Sequence, residues 1–198
     1  MNLPNKISLA RICLIPVFVV IFFLEMIPFR FGIAAIVFGI AALTDFVDGK
    51  IARSRGLVTN LGKFLDPIAD KVLVSTAMIL ILTMKDSLFA IFPDASGWLY
   101  VTTVVSICII VAREFIISAF RQIAAANGII MAAEKLGKYK TVCQDIALFI
   151  LLLAADIPAL AGQIVAGVGF GLLAVATVLT VWSGIAYVVK NKQVIKED

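Results

Sequence analysis

Residues 45–70 read DFVDGKIARSRGLVTNLGKFLDPIAD. Four aspartates, Asp45, Asp48, Asp66 and Asp70, fall within these 26 residues, in a chain that carries thirteen acids in all. Apolar runs precede and follow the stretch, so the cluster lies at the end of one membrane helix and the start of the next. Carboxylates in or beside a membrane span are costly unless paired, solvated or bound to metal. Four neighbouring carboxylates also repel one another, and hard divalent cations with oxygen ligands answer that repulsion best. On a helix Asp45, Asp48, Gly49 and Ala52 fall at i, i+3, i+4 and i+7, so two acids and two nearly side-chain-free positions share one face. Gly62, Asp66 and Asp70 repeat the pattern at i, i+4 and i+8 if the helix passes through Pro67 or starts just before it. The polar link SRGLVTNLGK would then let the two acidic faces meet across an antiparallel helix pair. Taken singly, each residue has a plainer reading. Asp66 before Pro67 is a fitting N-cap, Asp45 or Asp48 could pair with Arg53 or Lys50, and Gly49 and Ala52 could serve helix packing. The four acids together resist a purely structural account.

Outward from this stretch the composition is that of a membrane protein. Of 198 residues, 62% are hydrophobic and 15% charged, and the mean hydropathy is +1.09. A water-soluble globule and a disordered chain are both excluded. Six apolar runs, near residues 10–28, 32–50, 66–84, 98–118, 141–158 and 165–189, are each about long enough to cross a bilayer. The expected fold is therefore all-α, a single six-helix transmembrane domain over residues 1–198 without a soluble appendage. A signal peptide in the first run is set aside, because no small-residue cleavage site follows it. The segment 119–140 reads as an amphipathic surface helix with breaks at Gly128 and Gly137. Histidine is absent, and Cys13, Cys108 and Cys143 form no CxxC pair. Serine–histidine and cysteine–histidine catalysis and the usual zinc sites are excluded, which leaves carboxylates, amines and hydroxyls to carry any chemistry.

Orientation follows from the cations. With the N-terminus inside, fifteen of the seventeen lysines and arginines fall on the cytoplasmic side and only Arg30 and Lys85 outside. That asymmetry agrees with an even number of spans and with both termini in the cytoplasm. The net charge of +4 thus belongs to one membrane face, where it attracts anionic lipid heads. Nucleic-acid binding has no support, since the basic residues lie in short loops and carry no recognition motif.

The stretch 45–70 spells DxxDGxxAR, eight residues, then GxxxDxxxD. This resembles the complete signature of the CDP-alcohol phosphotransferase family, without departure at a defining position. LPNKISLARICLIP at 3–16, AREFIISAFRQIAA at 112–125 and EKLGKYKT at 134–141 extend the resemblance to the bacterial branch that uses glycerol 3-phosphate. The resemblance implies a six-helix enzyme of the bacterial cell membrane, usually a homodimer, that displaces CMP from a CDP-linked lipid with an alcohol. The donor would be CDP-diacylglycerol and the acceptor sn-glycerol 3-phosphate. By position, Asp45, Asp48, Asp66 and Asp70 would hold two Mg²⁺ or Mn²⁺ ions, and Asp70 would also be the catalytic base. Gly49, Ala52, Arg53 and Gly62 would form the cytidine-diphosphate pocket, with Asn5 and Ser8 as further polar contacts. A two-metal clamp suits in-line displacement at a pyrophosphate, and phosphoryl transfer needs mainly positioning and charge neutralisation.

A phosphorylated acceptor needs a second anion site. Arg113, Arg121, Lys135 and Lys138 lie on the same side, and arginine forks match phosphate oxygens. Arg113 is the strongest candidate, because it adjoins Glu114 within or at the end of an apolar span; each of the four is otherwise an ordinary positive-inside charge. Within the family the acceptor could instead be phosphatidylglycerol, serine or an inositol phosphate, which the signature alone does not separate, but the flanking resemblance and the basic loop favour glycerol 3-phosphate. From a different class, a divalent-cation transporter would place its aspartates nearer the midplane, within interrupted helices in matching halves. A non-catalytic scaffold would leave the four acids unexplained.

Overall fold

The computed structural model describes the backbone over residues 3–54, 60–126 and 135–191, and the side chains over 7–44, 67–125 and 136–191. Six α-helices make up the described residues: α1 (Leu3–Phe23), α2 (Arg30–Ser54), α3 (Asn60–Thr83), α4 (Ser96–Ala126), α5 (Lys135–Ala154) and α6 (Ala159–Lys190). A short 3-10 turn at Phe89–Ile91 lies between α3 and α4. The helices close into a ring. α1 packs on α2, α2 on α5, α5 on α6, α6 on α4, α4 on α3, and α3 returns to α1. The α5–α6 contact is the most extensive, and α3 also reaches α5, which brings α3, α4 and α5 around one interior cleft.

Small residues permit the close approaches. Ala34, Ala35 and Ala41 of α2, Ala77 of α3 and Ala147 of α5 are fully buried beside Phe18, Phe38, Leu148 and Leu151. Between membrane helices such side chains let backbones draw near, where dispersion rather than water exclusion holds the pair. The outer faces carry exposed Leu43, Ile79, Val105, Ile164, Val178 and Ile185. On this surface apolar side chains point outward as well as inward, as hydrocarbon solvent requires. Among the described residues two helices are long and apolar enough to cross a membrane by length and composition, residues 96–125 of α4 and all of α6; shorter apolar stretches are Ile7–Phe23 and Arg30–Thr44.

The helices are longer than the hydropathic runs that announced them. α1 begins at Leu3 and not near residue 10, and the first turns of α3 precede Asp66. Asp66 is therefore no N-cap: α3 starts at Asn60 and runs through Pro67. Ser54 belongs to α2 and Asn60–Lys63 to α3, so the link between the acidic faces is shorter than the polar sequence suggested. The expected surface helix at 119–140 is also corrected. Residues 119–126 continue α4 without interruption, and Gly137 lies inside α5, where a Cβ would meet no atom within 4 Å. Gly128 lies outside the described residues. A helix propagates at little cost once nucleated, so α4 outlasts its apolar stretch and carries Arg113 and Arg121 on the same rod.

Candidate active site

α2 carries Asp45, Asp48, Gly49, Ala52 and Arg53 on its last turns, and α3 carries Gly62, Asp66 and Asp70. The helical backbone thus gives both acidic patterns the 3.6-residue period on which the shared-face reading depends. The side chains of Asp45, Asp48, Gly49, Ala52, Arg53, Gly62, Asp66, Asn5 and Lys135 lie outside the described residues. Among the described residues no group of three or more metal-ligating side chains gathers, since Asp70 alone of the quartet belongs to them. The donor set is nevertheless of the right kind: four carboxylates from two adjoining helices offer the hard oxygens that Mg²⁺ and Mn²⁺ take.

Asp70 is half-buried and lines a cleft between α3, α4 and α5, together with Lys71, Ser75, Glu114, Lys140, Thr141 and Gln144. Glu114 is the hub of its far wall. Its Oε1 accepts a hydrogen bond from Lys140 Nζ at 2.6 Å and another from Arg113 Nη1 at 2.8 Å. Arg113 Nη2 donates to Ser183 Oγ at 3.1 Å, which ties α4 to α6, and Ser183 is itself buried. Lys71 donates to Ser118 Oγ, whose hydroxyl in turn donates to the Glu114 carbonyl at 2.6 Å. The wall that faces Asp70 thus holds the Glu114–Lys140 pair, and the same carboxylate holds Arg113 behind it.

Farther along α4, Arg121 donates from Nε to Tyr187 Oη at 3.1 Å, with its guanidinium carbon 5.3 Å from the Tyr187 ring centroid. Stacking fixes the plane of the fork, and its Nη groups have no partner among the described residues. Arg113 and Arg121 stand eight residues apart, about 12 Å along the axis. Lys138 is exposed on α5 and faces away from the cleft's lining. Of the four residues expected to hold an acceptor phosphate, Arg113 is thus engaged by Glu114 and Ser183, Arg121 is presented by Tyr187, and Lys138 stands apart.

Ser8 and Arg11 are fully buried on α1. Arg11 Nε donates to the Ala41 carbonyl at 3.0 Å and to Thr44 Oγ1 at 3.4 Å, against the turn of α2 that leads directly into Asp45. Reading the chain for charge alone assigns Arg11 and Lys140 to topology, yet both are interior. For Arg11 a signal was present, an arginine on an apolar helix. Lys140 gave none, because it sits among exposed lysines and only the fold turns it inward.

The site and fold define a class: an all-helical protein of membrane type that carries a paired-aspartate signature on two adjoining helices, with the last of its aspartates in a cleft lined by ionisable groups. Residues 1–182 match the CDP-alcohol phosphatidyltransferase family, and the chain belongs to it. Relatives named CDP-diacylglycerol–glycerol-3-phosphate 3-phosphatidyltransferase span most of its length. That of Bacillus subtilis (strain 168) is 44% identical over 163 residues, 77% of either chain. Those of Salmonella typhimurium and Pectobacterium atrosepticum are 40% and 38% identical over 190 residues, 94% of this chain and 92% of theirs.

Proposed function

We propose that this chain transfers the phosphatidyl group of CDP-diacylglycerol to sn-glycerol 3-phosphate, releasing CMP and forming phosphatidylglycerol phosphate. The observation that carries the reading is Asp70. It sits on the signature helix and in a cleft whose opposite wall holds the Glu114–Lys140 pair, in a chain nearly collinear with transferases of that name. A carboxylate general base and a fixed cation for the acceptor are the two things this reaction asks of side chains.

In the proposed step the Asp70 carboxylate takes the proton from the primary hydroxyl of the acceptor. That oxygen forms a bond to the lipid-side phosphorus as the bond from phosphorus to the CMP oxygen breaks in line, and CMP leaves as the anion. Asp45, Asp48, Asp66 and Asp70 would hold two Mg²⁺ or Mn²⁺ ions, which supply charge neutralisation at the pyrophosphate. Gly49, Ala52 and Gly62 leave the backbone open to the nucleotide, with Arg53, Asn5 and Ser8 as its polar contacts. Arg121, and Arg113 through its edge, receive the acceptor phosphate, with Lys135 and Lys138 adding to the basic field at the mouth. We place all six helices in or across the bacterial cytoplasmic membrane, the site and both termini on the cytoplasmic side, in a homodimer.

The test is CMP release from CDP-diacylglycerol in mixed micelles by the purified chain. The reading expects release only when glycerol 3-phosphate and Mg²⁺ are both present, with the phosphorylated lipid as co-product. Equal release with serine, or with phosphatidylglycerol and no glycerol 3-phosphate, would move the chain to a different acceptor within its family.

A further inference from the structure

Among the described residues, two buried polar atoms at or beside the cleft stand out without a hydrogen-bond partner, Arg113 Nε behind its wall and Gln144 Oε1 in its lining. Lys140 is committed to Glu114, Lys71 to Ser118, and Thr141 Oγ1 to the Gly137 carbonyl of its own helix at 3.1 Å. Gln144 differs. The residue is only 2% exposed, it lines the cleft, and its Oε1 has no hydrogen-bond partner among the described residues. A buried amide oxygen left without a donor costs as much as a lost hydrogen bond, so its place in a well-packed interior calls for a donor that arrives from outside. Neither Lys140 nor Lys71 makes a hydrogen bond to it: Lys140 Nζ bonds Glu114 and Lys71 Nζ bonds Ser118.

What arrives must donate. The cleft opens to solvent and encloses about 450 Å³ of empty space, so a short chain that carries hydroxyls fits there. Gln144 lies nine residues into α5 and Asp70 ten residues into α3, on helices that enter the bundle from the same end and touch. Both line the same cleft. A vicinal diol has its two hydroxyls on adjacent carbons and can offer one to each wall.

We propose, on the acceptor reading given above, that Gln144 determines acceptor specificity. Its Oε1 accepts a hydrogen bond from the secondary hydroxyl of glycerol 3-phosphate while the primary hydroxyl is turned to Asp70. The ligand class it selects is a short phosphorylated vicinal diol. A site built to bond a hydroxyl discriminates strongly against the analogue that lacks it, because its own buried group is then left unpaired.

The experiment compares sn-glycerol 3-phosphate with 3-hydroxypropyl phosphate, which keeps the primary hydroxyl and the phosphate and lacks the secondary hydroxyl. The two compete in one assay with CDP-diacylglycerol. The wild-type chain is expected to prefer the diol by about tenfold to a hundredfold in kcat/KM. Gln144→Met, of similar length and without an acceptor oxygen, should bring the ratio to within about threefold of unity, chiefly through the KM of the diol. Gln144→Glu keeps the oxygen and should keep the preference. Competition within one preparation makes each ratio independent of the fraction of protein folded. Wild-type indifference to the secondary hydroxyl would overturn the proposal even if Gln144→Met proved inactive, and so would an unchanged ratio in an active Gln144→Met, which would assign the oxygen to an ordered water. Absence of transfer to either acceptor would sink the parent reading instead.

Discussion

Lys140 Nζ lies 2.6 Å from Glu114 Oε1, and the two side chains differ sharply in burial: the lysine is 2% exposed and the glutamate 30%. The pair joins α5 to α4, and Arg113 completes it at 2.8 Å from the same oxygen. A buried ammonium without a counter-charge is far more costly than the intact pair is favourable. Because Glu114 serves two cations, the consequences of removing either end are unequal.

Glu114→Gln should therefore destabilise the fold by about 2–3 kcal/mol, below the range for fully buried pairs because the carboxylate is partly solvated. Lys140→Met should cost less, since Glu114 retains Arg113. The double variant should be more stable than Glu114→Gln alone, because the stranded ammonium is gone. Thermal unfolding of the three variants in detergent checks the order, and a double variant that is merely the sum of the singles would refute it.

Asp70→Asn keeps the shape and burial of the side chain and removes its ability to take a proton. Turnover should fall by about 10²–10⁴-fold, the usual range for a positioned base. Binding of CDP-diacylglycerol, followed with a fluorescent analogue in the presence of Mg²⁺, should weaken far less. Full turnover in the variant would remove Asp70 from the role of base.

The stacked pair Arg121 and Tyr187 leads to a graded expectation. Arg121→Lys loses both the planar fork and its seat on the ring, and should raise the KM for glycerol 3-phosphate by about tenfold with kcat little changed. Tyr187→Phe keeps the ring and loses only the acceptor for Nε, so the rise should be about threefold. Steady-state kinetics in the acceptor, at saturating CDP-diacylglycerol, separate the two. An equal effect of both changes would mean that the hydroxyl alone orients the guanidinium.

Much of this was legible before the structure, and unevenly so. The period of Asp45, Asp48, Asp66 and Asp70 needed only a helix, and the backbone of α2 and α3 supplies it. The six helices announced themselves by hydropathy, but their ends did not: a hydropathy window sees where lipid wets the chain, while a helix continues until its backbone bonds run out. Hence α4 continues through Arg121 to Ala126, and Gly137, read as a break, lies inside α5. Partners across the bundle were not legible at all. Glu114 was expected beside Arg113 as a sequence neighbour, but its bond to Lys140, 26 residues away, and Arg121's to Tyr187, 66 away, depend on how the helices are rotated. Lys71, the sequence neighbour of Asp70, bonds Ser118 on α4.

At the far end of the bundle, Asp156 Oδ2 accepts the Gly32 backbone N–H at 2.7 Å, across 124 residues of sequence. Gly32 is in the first turn of α2, whose N–H groups have no partner within the helix and favour an anion. Asp156→Ala should cost about 1.5–3 kcal/mol of stability, as a hydrogen bond to a charged group does. It should leave the KM for both substrates unchanged. A shifted KM with an unshifted melting temperature would contradict this purely structural role.

The same loop makes a specific demand at Gly162. A Cβ built there would lie 2.2 Å from the Ile157 carbonyl oxygen, a backbone atom that cannot rotate aside. Gly162→Ala must push the Ile157–Pro158 segment away from α6, at about 1–3 kcal/mol for an overpacked site. Asp156 precedes that segment directly, so the displacement also pulls its carboxylate from Gly32. The two changes therefore should not add: in the Asp156→Ala background, Gly162→Ala should cost measurably less than in the wild type, because the bond it would disturb is already gone. Gly171→Ala, where a Cβ meets no atom within 4 Å, is the matched control and should be neutral or stabilise through helix propensity by up to about 1 kcal/mol. Melting temperatures of the five proteins, measured in one detergent, decide the matter, and strict additivity of Asp156→Ala and Gly162→Ala would show that the loop yields without moving Asp156.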